Sequence, residues 1–148
     1  MKLEEQVVNL KLSKRLKKLG YPQESLWYWQ YNGKEGVRLG IGRYKLVARD
    51  TSFGISKRDS SAPTVAELGR VLPYRIRPVN DEDYWLYMSL GRYGDFNIAY
   101  DTPSDGMHSR RVYHQEEVDN EANARALMII YLLESGLLRF WKEESDDL

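Results

Sequence analysis

The chain has 148 residues, no cysteine, and 22 acidic against 22 basic residues, so its formal net charge is zero. That length fits one domain able to bury a core unaided, and the lack of thiols excludes disulfide frameworks, thiolate zinc sites and cysteine nucleophiles. No apolar run approaches the ~18 residues that span a bilayer, and the start, MKLEEQVVNL, has acidic residues where a signal peptide needs a basic flank. The expectation is a soluble protein of the cytoplasm with no membrane partner.

Asn9 is a good N-cap for a first helix over about Leu10 to Leu19. Leu12, Leu16 and Leu19 share one face, Lys11, Lys14, Arg15 and Lys18 occupy a neighbouring arc, and Gly20 with Pro22 ends the helix. Leu26 to Tyr31 (LWYWQY) reads as a strand, with Trp27, Trp29 and Tyr31 on one face and Leu26, Tyr28 and Gln30 on the other. The Asn-Gly of NGKEG predicts a hairpin turn into strand residues Val37 to Ile41 and Tyr44 to Ala48. Arg49 to Ala62 is polar and reads as a loop. Thr64-Val65-Ala66-Glu67 is a capping box that opens a short helix ending near Leu72, before Pro73.

Asn80 to Asp83 reads as an acidic turn, followed by strands at Tyr84 to Leu90 and Asp95 to Tyr100 and a turn cluster from Asp101 to Gly106. Arg111 to Val118 is a candidate last strand. The segment DNEANARALMIIYLLESGLL, from Asp119 to Leu138, opens on a capping aspartate and ends at Gly136. Its helix, from about Asn120 to Ser135, is apolar on most sides. Such a helix is normally buried on most sides or packs on a partner as well as on its own sheet. Residues 143–148 (EESDDL) form an acidic tail.

Charge is unevenly spread. Residues 1–79 hold sixteen Lys and Arg against seven Asp and Glu, whereas residues 80–148 hold six against fifteen. The ordinary consequence is a bipolar surface; the sharper one is a basic patch for an acidic partner, often nucleic acid.

Three islands occur together: NLKLSKRLKKLGYPQESLWYW at 9–29, APTVAELGRVLP at 62–73 and NEANARALMIIYLLESGLL at 120–138. Their order resembles a group of small uncharacterised proteins encoded by bacteriophages and prophages. Members carry a Leu- and Lys-rich helix, a Gly-Tyr-Pro-like turn into an aromatic strand, a Pro-Thr-Ala-Glu-Leu-Gly-like helix and an Ala-rich final helix. The resemblance implies a phage or prophage setting and brings no catalytic residues.

Candidate chemistry is sparse. His108 and His114, with Glu116, Glu117 and Asp105 nearby, match no metal-ligand spacing. The pairs Asp101/Asp105 and Asp81/Asp83 lie in turn sequences where Asp hydrogen-bonds the backbone. No nucleophile elbow occurs, and VRLGIGRY lacks the helix and lysine of a phosphate loop. The sequence therefore predicts no cofactor, no metal and no catalytic residues.

The combined reading is one α+β domain over residues 1–142. An antiparallel sheet of about four to six strands carries the N- and C-terminal helices on one face. Its function is that of a non-enzymatic phage or prophage accessory protein that binds a host or phage protein, with a homodimer as one partner arrangement. The alternative is a single-stranded nucleic-acid-binding module in which Lys11, Lys14, Arg15 and Lys18 meet phosphates while Trp27, Trp29 and Tyr31 stack on bases.

Overall fold

The computed structural model describes residues 2–38, 42–49, 56–78, 82–102 and 111–140, with backbone only for Glu35 and residues 111–117. The protein is α+β. After a 3-10 turn at Leu3–Glu5, the first helix, α1 (Leu10–Lys18), begins where Asn9 predicts. The Asn9 carboxamide oxygen accepts the Leu12 N–H at 2.9 Å, and Gly20 takes φ +91° just beyond the helix end. Leu12, Ser13 and Leu16 are its buried residues.

Two sheets replace the single one expected. In the smaller, β1 (Trp27–Tyr31) pairs antiparallel with β2 (Tyr44–Ala48), Tyr31 opposite Tyr44. Its other neighbour is β3 (Ser60–Ser61), opposite Tyr28 and Trp29 and inside the stretch read as loop. The β3 side of the ladder ends because the Asp59 carboxylate takes the Tyr31 N–H at 2.9 Å.

β1 and β2 do form a hairpin, but Asn-Gly does not close it as a two-residue turn. Gly33–Arg38 forms a short helix, α2, so Val37 is helical, and residues 39–41 lie outside the described residues. Gly33 does adopt a positive φ, +64°, but the chain then coils until Asn32 N–H reaches the Arg43 carbonyl. Gly36 permits this, since a Cβ there would lie 2.2 Å from the Gly42 carbonyl oxygen.

The capping box works as read: Thr64 and Glu67 satisfy each other's backbone N–H groups at the start of α3 (Val65–Val71). Pro73 then leads into β4 (Arg75–Ile76), a two-residue strand the sequence did not announce. The second sheet has the order β4-β5-β6-β7, all antiparallel, with β5 at Tyr84–Leu90, β6 at Phe96–Asp101 and β7 at Arg111–Val118.

The final helix, α4 (Glu121–Glu134), lies on β6 and β7 and also touches α1 and α3. Asn120, rather than Asp119, is its cap: its side chain accepts the Asn123 N–H at 2.7 Å. Asp119 instead accepts from Asn120 N–H and from the Asn123 amide. Met128, Ile129, Ile130 and Leu132 are buried, whereas Leu133 is only partly covered. Helix α1 reaches α4 and β3. The two terminal helices thus form the layer that joins the sheets, and one core runs from Val8 to Leu132. The acidic tail at 143–148 lies outside the described residues.

Two tyrosines tie this core to the backbone and to pH. Tyr100 donates its hydroxyl to the Pro73 carbonyl, and burial pushes its ionisation upward. Tyr21, edge-on to Phe140, is pushed up to about 12, first by burial and then by the charge of Glu67. Both phenols stay neutral in the fold at pH values where an unfolded chain ionises them, near pH ~10. Their contribution is therefore fully present below pH ~10 and is lost as pH rises toward the folded values. Melting temperature should fall between about pH 10 and 12, and Tyr21→Phe with Tyr100→Phe should flatten that fall. An unchanged slope in the double variant would assign the alkaline loss to other groups.

Candidate functional site

The larger sheet has two unlike faces. Ile76, Tyr84, Leu86, Met88, Phe96, Ile98 and Tyr100 belong to or pack against the core. By alternation and register, the opposite face carries Arg75, Trp85, Tyr87, Ser89, Asn97, Ala99 and Asp101. Ala99, at its middle strand, is buried between its neighbours. The rings of this face stay in solvent: Trp85 is 41% exposed, Tyr87 49% and the neighbouring Tyr74 71%.

These rings form an ordered patch. Tyr74 stacks on Trp85 at 6.0 Å between centroids, with 29° between planes, and the Arg75 guanidinium sits 5.7 Å from the Trp85 ring. The Tyr74 carbonyl accepts the Leu86 N–H at 2.9 Å, which fixes β4 beside β5. At the rim, Asp83 pairs with Arg77 and lies 3.8 Å from Arg75. The hydrogen bond from Arg77 holds the Asp83 carboxyl below its usual range. The patch is thus aromatic, with the Arg75 guanidinium against Trp85 and the Arg77–Asp83 pair at its edge.

The sequence reading missed this face. YWLYMSL is apolar at nearly every position, so alternation within β5 cannot tell inside from outside. The signal was one strand away: in FNIAYD, Asn97, Ala99 and Asp101 alternate with Phe96, Ile98 and Tyr100. Their register with β5 identifies Trp85 and Tyr87 as outward.

The residues singled out from sequence lie around the smaller sheet. Trp27, Trp29 and Tyr31 do share a face, and all three are partly buried. The Trp29 indole N–H donates to the Val8 carbonyl at 2.9 Å, so this ring is tied to the start of α1. Arg15 points away, into an ion pair with Glu134 of α4. Lys14 places its ammonium 4.3 Å from the Tyr44 ring centroid. Tyr44 is 5.3 Å from Tyr31, and Arg58 covers Tyr31 at 4.7 Å. Lys11 and Lys18 are exposed on the same stripe of α1 as Lys14.

Among the described residues, no group of three or more His, Asp or Glu is placed to hold a metal. Asp81, Asp105 and His108 lie outside the described residues. The backbone of His114 pairs with Ala99 in β7, and Asp83 is engaged with arginine. No described helix is long and apolar enough to cross a membrane. No protein-family model, curated protein or solved structure matches the chain.

Proposed function

We propose that the chain is a non-enzymatic phage or prophage accessory protein that acts in the host cytoplasm by binding a host or phage protein. The observation that carries the binding reading is the exposed Tyr74–Trp85–Tyr87 face with Arg75 against it. Tyr, Trp and Arg are the residue types that dominate binding energy at protein interfaces, and their exposure together on one face supports this reading. The phage setting rests on the resemblance of the three sequence islands.

The test is a pull-down from phage-infected host cells under nuclease treatment, comparing the native chain with Trp85→Ala/Tyr87→Ala. A partner seated on this face should bind the double variant with an affinity lower by about 2 kcal/mol or more, roughly 30-fold in Kd. Charge reversal at Lys14 and Lys18, on α1 beside the smaller sheet, should leave capture intact. Recovery of only the chain itself, with doubled mass by light scattering, would make a second copy the partner. Capture that is indifferent to the loss of Trp85 and Tyr87 would remove this face from the reading.

A further inference from the structure

We propose that the cluster of Lys14, Tyr44, Tyr31 and Arg58 binds single-stranded nucleic acid, with a base on the outer face of the Arg58 guanidinium and phosphates on Lys11, Lys14, Lys18 and Lys57. This site lies on the smaller sheet and does not depend on the protein-binding face.

The cluster is a built arrangement. Register sets Tyr31 opposite Tyr44 at the end of the β1–β2 pair, and each ring receives one cation within the ~6 Å reach of a cation–π contact. Two different segments supply those cations: Lys14 comes from α1 and Arg58 from the turn before β3. The turn is held in place by Lys17, whose ammonium donates to the Lys57 carbonyl at 2.6 Å and to the Asp59 carbonyl. The side chain of the buried Asp59 is engaged by the N–H groups of Tyr31 and Ser56, each at 2.9 Å. Lys17 is therefore a positioning residue that orders the turn carrying Arg58.

The chemistry favours an unpaired base over a carboxylate. The Tyr31 ring holds the Arg58 guanidinium 4.7 Å from its centroid, and bases of single strands stack on guanidinium planes. Arg58 is exposed, and Tyr31 is its ring contact. Lys11, Lys14 and Lys18 follow the i, i+3, i+7 spacing of one helix stripe, so they track a backbone beside the stacked base. A carboxylate of an acidic protein segment would take the N–H edge of the guanidinium rather than its open face. This half of the chain also carries the excess of basic residues, sixteen against seven. The stack is Tyr31–Arg58–base; Trp29, tied to Val8, takes no part in it.

The test is fluorescence anisotropy with labelled oligo(dT) and oligo(rU) of about 12 nucleotides, within the site size of one small domain. With about four phosphate contacts, the log–log salt dependence should have a slope near −3. Arg58→Ala should weaken binding roughly tenfold, and Arg58→Lys, which keeps the charge but not the plane, should stay close to the alanine variant. Lys14→Glu/Lys18→Glu should abolish binding, whereas Trp85→Ala/Tyr87→Ala should bind as the native chain does. All of these positions are exposed or partly exposed, and a melting curve of each variant confirms that it is folded. The absence of salt-sensitive binding at low ionic strength would overturn the proposal. So would an Arg58→Lys variant equal to the native chain. Displacement of the oligonucleotide by poly-glutamate at equal charge concentration would reassign the site to acidic protein.

Discussion

Ile129→Ala is expected to destabilise the protein by about 2–5 kcal/mol, the cost of lost apolar transfer plus an unfilled cavity. The reason is position. Ile129 is fully buried in a helix that touches α1, α3, β6 and β7, so no single neighbour can move to fill the space. For a domain of this size, the loss corresponds to a fall in melting temperature of roughly 10 °C. Leu133→Ala is the internal comparison. Leu133 lies one turn further on and is only partly covered, so its truncation should cost less than that of Ile129. Equal, small effects at both positions would mean that α4 is not the centre of the core.

That expectation was largely legible in the sequence, and the reason is local. A capping side chain followed by an apolar stretch before Gly136 announces a helix over about Asn120 to Ser135, and the structure has α4 within a residue of those limits, with Asn120 in place of Asp119 as the cap. Helix α1 and the capping box at Thr64–Glu67 were legible for the same reason. What failed was non-local. Asn-Gly predicts a tight turn, yet Gly36 admits the Gly42 carbonyl and the chain coils into α2 instead. Ser60–Ser61 has no strand signature and becomes β3 because Tyr28 and Trp29 offer it a ladder. The division into two sheets likewise depends on which strands meet.

The candidate sites divide along the same line. Lys14 and Tyr31 were readable as a cation and a ring on neighbouring elements. Their partners Tyr44 and Arg58 are 30 and 27 residues away in sequence, respectively, and only the β1–β2 register and the Lys17-held turn bring them in. Trp27 and Trp29 looked equivalent to Tyr31 by alternation. Alternation shows which face a ring is on and not what covers it, and the start of α1 reaches Trp29. The exposed Trp85 and Tyr87 were hidden by the opposite problem, a strand too uniformly apolar to show its outer face.

Asn123→Ala is expected to cost about 1–3 kcal/mol, most of it from a single backbone group left without a partner. Asn123 is buried in the third helical position of α4, where an alanine would otherwise suit both propensity and packing. Its carboxamide oxygen accepts the Asn9 N–H at 2.9 Å, and its amide donates to Asp119 at 2.9 Å. Asn9 is itself the cap of α1, through Leu12. One side chain therefore joins the capping arrangements of both terminal helices, which are 114 residues apart. Truncation leaves the part-buried Asn9 N–H without its protein acceptor, and it removes a donor from Asp119. Asn123→Leu separates polarity from volume: it fills the space, cannot accept from Asn9, and should be about as destabilised as the alanine variant. Asn123→Asp keeps the acceptor but turns a second carboxylate toward Asp119, so at neutral pH it should be the least stable of the three. Chemical denaturation of the set gives the order directly. An Asn123→Leu variant as stable as the native chain would show that the site needs volume alone, and that the two helices are held together by the apolar core rather than by this bridge.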